Sequence, residues 1–228
     1  MPSASAALPN AAIVTQWDEF IASGPDVIVE CAGHTALRAF GSLALRAGRD
    51  LIVSSVGALA DRALESDLRA AARHSRSRIV IPAGAAGGLD ALGAARHAGL
   101  DSVTYISRKQ PRAWEGTQAE GMIDLSSVKE ARVFFQGNAR NASLTFPQNA
   151  NVVAAIALAG SGFENTQVQL MADPETPGNR HIIDARGSFG EISVSVMART
   201  LPDNPKTSML APYSLVRSIV NLSDWIVV

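Results

Sequence analysis

The chain carries four histidines, one cysteine and three lysines, so each residue suited to proton transfer, thiolate chemistry or point-charge binding can be weighed singly. His74 and His97 fall among polar residues at helical spacing and read as surface side chains. His34 follows the apolar run Val27–Val29 and either meets a ligand there or simply opens a helix. His181 stands apart: it follows Thr176-Pro177-Gly178-Asn179, enters a run of alternating polarity and shares a face with Ile183 and Ala185. An imidazole titrates close to neutral pH, which suits general acid/base work, and a histidine packed in a core has the same sequence surroundings. The lone Cys31 excludes an intrachain disulfide and a cysteine-rich zinc site. No metal is expected, and the cytoplasm is the expected compartment.

Such groups act only where a fold brings them together. From Val27 to about Ile106, short β-branched runs alternate with helical patterns: Val27–Val29, Leu51–Val56, Ile79–Ile81 and Val103–Ile106. Their apolar character on both faces predicts a parallel sheet covered by helices on both sides. Leu37, Phe40, Leu43 and Ala47 recur at helical spacing ahead of Gly48, a C-cap glycine; Leu64, Leu68, Ala71 and Ala72 do the same after the N-cap Asp61. Trp17, Phe20 and Ile21 predict one more helix before the first strand.

Ligands of open parallel sheets bind beyond the carboxyl ends of the strands. Those loops here are Cys31–His34 (CAGH), Ser54–Ala58 (SSVGA) and Ala83–Gly88 (AGAAGG). Their small residues let a flat cofactor approach the backbone, and tight helix-on-strand packing calls for the same glycines. The G-x-G-x-x-G phosphate fingerprint is not in the sequence: Gly84–Gly88 has other spacing, and Gly160-Ser161-Gly162 follows a helical pattern. The expected fold class is therefore α/β, a partial Rossmann-like parallel sheet lacking the first crossover unit, plus an α+β second domain with an antiparallel sheet.

The second domain is expected after Arg108, where Pro111, Gly116 and Gly121 interrupt the alternation. Val152, Val153, Ile156 and Ala157 mark a buried helix with Asn149 as its cap. Three period-two runs, Thr166–Ala172, Arg180–Arg186 and Ile192–Ala198, predict an antiparallel meander with helices on one face. A leftover apolar face predicts a homodimer. Ser208–Val220 reads as a helix returning to the first domain. The expected division is 1–107, with the return segment 208–228, as a partial dinucleotide-binding domain, and 108–207 as a catalytic and dimerisation domain. A net charge of -1 argues against a nucleic-acid partner, and the longest apolar run, Val152 to Gly160, is too short to span a membrane.

Eight segments in order carry a resemblance: VECAGH (Val29–His34), SVGALAD (Ser55–Asp61), AGAAGGLDAL (Ala83–Leu92), SRKQPRAWEGT (Ser107–Thr117), FPQNANVVA (Phe146–Ala154), ADPETPGNRH (Ala172–His181), ARGSFGE (Ala185–Glu191) and LPDNPKTS (Leu201–Ser208). Together they resemble the L-aspartate dehydrogenase family. The resemblance implies oxidation of L-aspartate to iminoaspartate with NAD or NADP, the imine then feeding quinolinate and NAD synthesis or hydrolysing to oxaloacetate and ammonia. By motif it assigns the active-site histidine to His181 and the cofactor contacts to Ala85 and Asn151. Where the family commonly reads G-A-I-G, this sequence has Gly84-Ala85-Ala86-Gly87. Where the family opens with a strand and G-x-G-x-x-G, this sequence reads MPSASAALPN, and the alternative reading is a non-catalytic or truncated family relative without the phosphate-binding loop, acting as a dimeric binding protein. A substrate with two carboxylates needs cations near the cleft, and Arg108, Lys109 and Lys206, at the expected domain junctions, are the candidates.

Overall fold

The computed structural model describes residues 11–201 and 204–227, with the backbone alone for 204–206. Its first part is a three-stranded parallel sheet in the order β1 (Val27–Glu30), β2 (Asp50–Val53), β3 (Ile79–Val80). Helix α1 (Trp17–Ala22) precedes it, and α2 (His34–Arg46) and α3 (Arg62–Ser75) form the crossovers. A 3-10 turn over Val56–Ala60 leads into α3, whose N-cap Asp61 accepts from the N–H groups of Ala63 and Leu64. Gly48 follows the C-cap of α2 at φ +74, a conformation glycine adopts without strain.

The buried face of α2 differs from the expected one. Leu37, Gly41, Ala44 and Leu45 are buried, whereas Phe40 is 46% and Leu43 41% exposed. The helix has two apolar stripes: one meets the sheet and α3, and on the other Phe40 stacks on Trp17 of α1, with ring centroids 5.4 Å apart. Gly41 lies on the inner stripe because Leu68 of α3 approaches too closely for a side chain there.

Helix α4 (Leu89–Ala98) then leads into β4 (Leu100–Lys109), which opens a second sheet instead of extending the first. That sheet has the order β5-β6-β4-β7-β8, with β5 (Arg132–Asn138), β6 (Thr166–Ala172), β7 (Asn179–Gly187) and β8 (Gly190–Ala198). The run Val103–Ile106 therefore belongs to the second sheet, and the division expected at 107/108 falls inside β4. The sheet is also mixed: β4 pairs parallel with β6 and antiparallel with β7, and only β7 and β8 form a hairpin of the expected meander. Strand β5 escapes period-two reading because a register shift between Val133 and Phe135 breaks its alternation.

Helices α5 (Ala139–Thr145), α6 (Ala150–Ala159) and α7 (Gly162–Asn165) lie on one face of this sheet. Helix α6 is apolar nearly all round because it is wedged between that sheet and the turn 56–60, so one continuous core joins both halves. The other face of the sheet carries Thr104, Ile106, Asp184 and Ser193, a mixed surface where an apolar one was expected. Short strands β9 (Thr200–Leu201) and β10 (Asn204–Ser208) precede α8 (Leu210–Val220), the expected return helix. Its Ser214 Oγ accepts from the Gly84 N–H at 2.9 Å, which docks it on the loop after β3. Among the described residues no helix is long and apolar enough to cross a membrane.

Candidate active site

Strand alternation sets the chemistry-bearing face. Tyr105, Ser107 and Lys109 share one face of β4, and the antiparallel register places His181 of β7 directly opposite Ser107. A cavity of about 170 Å³ opens at that end. It is bounded by Ser54 and Val56 after β2, Gly84 and Ala85 after β3, Asn149 and Asn151 at the start of α6, and Ser214 and Leu215 of α8. The cavity thus lies beyond the carboxyl ends of β2 and β3, where an open parallel sheet receives its ligand.

His181 is 6% exposed, and its Nδ1 is 2.7 Å from the Tyr105 Oη. Burial, reinforced by the charge of Lys109, pushes the imidazole down to about 3, so it is neutral around pH 7 in the ligand-free protein. Burial pushes the Tyr105 phenol up, so it too is neutral. A phenol can donate or accept, and Nδ1 is therefore occupied in either tautomer, while Nε2 has no partner among the described residues and can meet a substrate.

Lys109 Nζ donates to Asn149 Oδ1 and sits 4.9 Å from the centroid of the Trp114 ring. Asn149 occupies the N-cap position of α6 yet caps nothing, because its side chain serves the lysine. Burial lowers Lys109 to about 8, which leaves it largely protonated at neutral pH. No carboxylate pairs with it among the described residues.

Arg108, one residue earlier, points to the opposite face and pairs with the Asp173 carboxylate, which is 1% exposed. The structure does not bring it to the cavity. Lys206 belongs to β10, but its side chain lies outside the described residues; the neighbouring Thr207 and Ser208 line the cavity. His181, Lys109, Ala85 and Asn151 do meet there. Tyr105 and Ser214 were not singled out in the sequence, and Asn149 was read only as the cap of α6. Only Tyr105 left a usable trace, two residues before Ser107 on the same strand face.

The cavity is smaller than the roughly 300–1,000 Å³ of sites that enclose a drug-sized ligand, so it suits a small substrate and the reacting end of a cofactor. Its lining fits a nicotinamide. Gly84 has φ +64 with open space around its Cα, Ala85 projects only a methyl group, and a flat ring can reach the backbone. Asn151 Oδ1 accepts from the Gly57 N–H at 2.9 Å, which leaves the Asn151 amide NH2 to meet a carboxamide oxygen.

A parallel half-sheet whose small-residue loops face a histidine on a second sheet defines an NAD(P)-dependent dehydrogenase of two-part design. Residues 2–82 match the family model for the homoserine dehydrogenase NAD binding domain, and residues 90–222 match that for the aspartate dehydrogenase C-terminal region. L-aspartate dehydrogenase of Ralstonia nicotianae is 48% identical over 88% of this chain and 75% of its own length. That of Pseudomonas aeruginosa is 47% identical over 86% and 74%. The crystal structure of aspartate dehydrogenase from Thermotoga maritima superposes with a TM-score of 0.77 at 27% identity, covering 96% of this chain and 82% of the other. The chain belongs to the aspartate dehydrogenase family, oxidoreductases that use NAD or NADP.

Proposed function

We propose that this protein oxidises L-aspartate to iminoaspartate in the cavity between the two sheets, with His181 as the proton-transfer group. The observation that carries this reading is that His181, Lys109, Ala85 and Asn151 line one cavity. A bound NAD or NADP would supply the hydride acceptor for the substrate Cα. Ala85 and Asn151 are the chain's contacts to the nicotinamide end.

Lys109 is the cation for one substrate carboxylate, since its ammonium is unpaired by any carboxylate among the described residues. Burial, the larger cause of the low His181 value, persists, but a carboxylate seated there offsets the smaller one, the Lys109 charge, and its own negative charge raises the basicity of the imidazole. His181 Nε2 then takes a proton from the substrate amine and passes it to solvent, or, where the imine is hydrolysed in the site, takes one from the attacking water after that release. Tyr105 holds the ring by Nδ1 throughout.

The released imine enters quinolinate and NAD synthesis or hydrolyses to oxaloacetate and ammonia. In the same reading the protein is a cytoplasmic homodimer whose first half, with the return helix, holds the cofactor. Its other half carries catalysis and dimerisation.

The test is turnover: L-aspartate with NAD or NADP must produce reduced cofactor, and oxaloacetate with ammonia must consume it. A folded protein silent in both directions overturns the proposal.

A further inference from the structure

Glu30 ends β1 with a buried side chain, and no lysine or arginine pairs with it among the described residues. Its Oε1 accepts from the N–H groups of Ala32 and Gly33, each at 2.8 Å, and from Ser55 Oγ at 3.0 Å. Its Oε2 accepts from the Ser55 N–H at 2.9 Å. Three donors converge on Oε1 and one meets Oε2, so the carboxylate is held chiefly by the two turns. What the carboxylate does is tie the turn after β1 to the turn after β2.

The second of these turns leads to the active site. Ser54 and Val56, on either side of Ser55, are cavity wall, and all residues of the 3-10 turn Val56–Ala60 are buried. Gly57 packs against Ala150 too tightly for any side chain, and its N–H is the group that orients the Asn151 amide. Two residues of backbone therefore separate the anchored Ser55 from the hydrogen bond that aims Asn151. A buried carboxylate without a cation is costly unless hydrogen bonds replace its water, and here four donors reach it.

We infer that Glu30 is a positioning residue for the cofactor: it fixes the Ser54–Gly57 backbone and, through Gly57, the direction of the Asn151 amide. This rests on Asn151 being the nicotinamide contact proposed above. The residue never touches the ligand, so its effect falls on cofactor affinity and leaves aspartate binding alone.

Glu30→Gln replaces one accepting oxygen with an NH2 group, which must then face either the Ser55 N–H or the Ala32 and Gly33 pair. The experiment is a fluorescence titration with NADH of the wild type and Glu30→Gln, with amide hydrogen exchange at residues 54–57 and the aspartate KM at saturating cofactor. Glu30→Gln is expected to bind NADH roughly tenfold more weakly, the change produced by orphaning one buried donor. Exchange at Ser55 and Gly57 speeds up, and the aspartate KM changes by less than about twofold.

An unchanged NADH Kd overturns the inference, as does a parallel loss of NADH and aspartate affinity, which is general loosening. If Glu30→Gln does not fold, Ser55→Ala, which keeps every backbone donor, must still weaken NADH by about two- to threefold, and no weakening overturns the inference. A wild type that fails to bind NADH refutes the cofactor reading and this inference with it. A wild type that binds alongside an indifferent Glu30→Gln refutes this inference alone.

Discussion

Replacing Lys109 with methionine separates the two consequences of burying an ammonium in a binding cavity. In the ligand-free protein Lys109 titrates at about 8 instead of 10.5. The charged form is penalised by that gap, at most about 3.5 kcal/mol at roughly 1.4 kcal/mol per pH unit. The folded lysine releases its proton more readily than the unfolded one, so its contribution to stability is full above pH 10.5 and is lost as pH falls to about 8. Below that the cost is constant.

Methionine carries no such cost, although Asn149 Oδ1 loses its donor, worth about 1 kcal/mol. The net gain is about 1–2 kcal/mol near neutral pH, a rise in Tm of roughly 2–8 °C for a chain of this size. The advantage shrinks to nothing as pH approaches 10.5. Aspartate binding moves the other way: loss of a charge-assisted contact worth about 1.5–3 kcal/mol raises KM by roughly 10- to 100-fold. Thermal melts across this pH range and steady-state kinetics read both effects. A Lys109→Met protein that melts lower near neutral pH and retains its aspartate KM refutes the reasoning on both counts.

Tyr105→Phe removes the partner of His181 Nδ1, and we expect kcat to fall about tenfold with a shifted pH–rate profile and a stability loss of about 1 kcal/mol; an unchanged profile detaches Tyr105 from the chemistry. Arg108→Met strands the buried Asp173 carboxylate, so urea midpoints should report a loss of about 2–3 kcal/mol with the aspartate KM unchanged. A raised KM would bring Arg108 back into the substrate site. Because His181 is neutral when folded down to about 3 and protonated when unfolded below 6.5, stability rises with pH between these values. His181→Asn should flatten that stretch of the urea-midpoint curve, and an unaltered slope would locate the effect elsewhere.

The sequence made local structure legible where one residue settles a local question. Asp61 caps its helix, Gly48 ends one, and His181 shares a buried face with Ile183 and Ala185, because capping, φ preference and strand alternation act over a few residues. Which sheet a strand joins depends on distant partners. Val103–Ile106 reads as a strand in either sheet, and only the pairing of β4 with β6 and β7 decides the matter. Strand alternation sends Arg108 and Lys109 to opposite faces, and only the non-local pairing shows that the Lys109 face meets the cavity. Asn149 shows the converse: its position is that of a cap, but a lysine 40 residues earlier in the chain takes its oxygen.

The most direct test of the central claim is kcat for aspartate oxidation by His181→Asn, measured beside its NADH affinity and melting temperature. If His181 moves the proton, kcat falls by roughly 10²- to 10⁴-fold while NADH affinity stays near wild type and stability drops by no more than the lost Tyr105 bond, about 1 kcal/mol. If it is a core residue only, Tm falls with the loss of about 1–3 kcal/mol and turnover per folded molecule is retained, which would contradict the account at its centre.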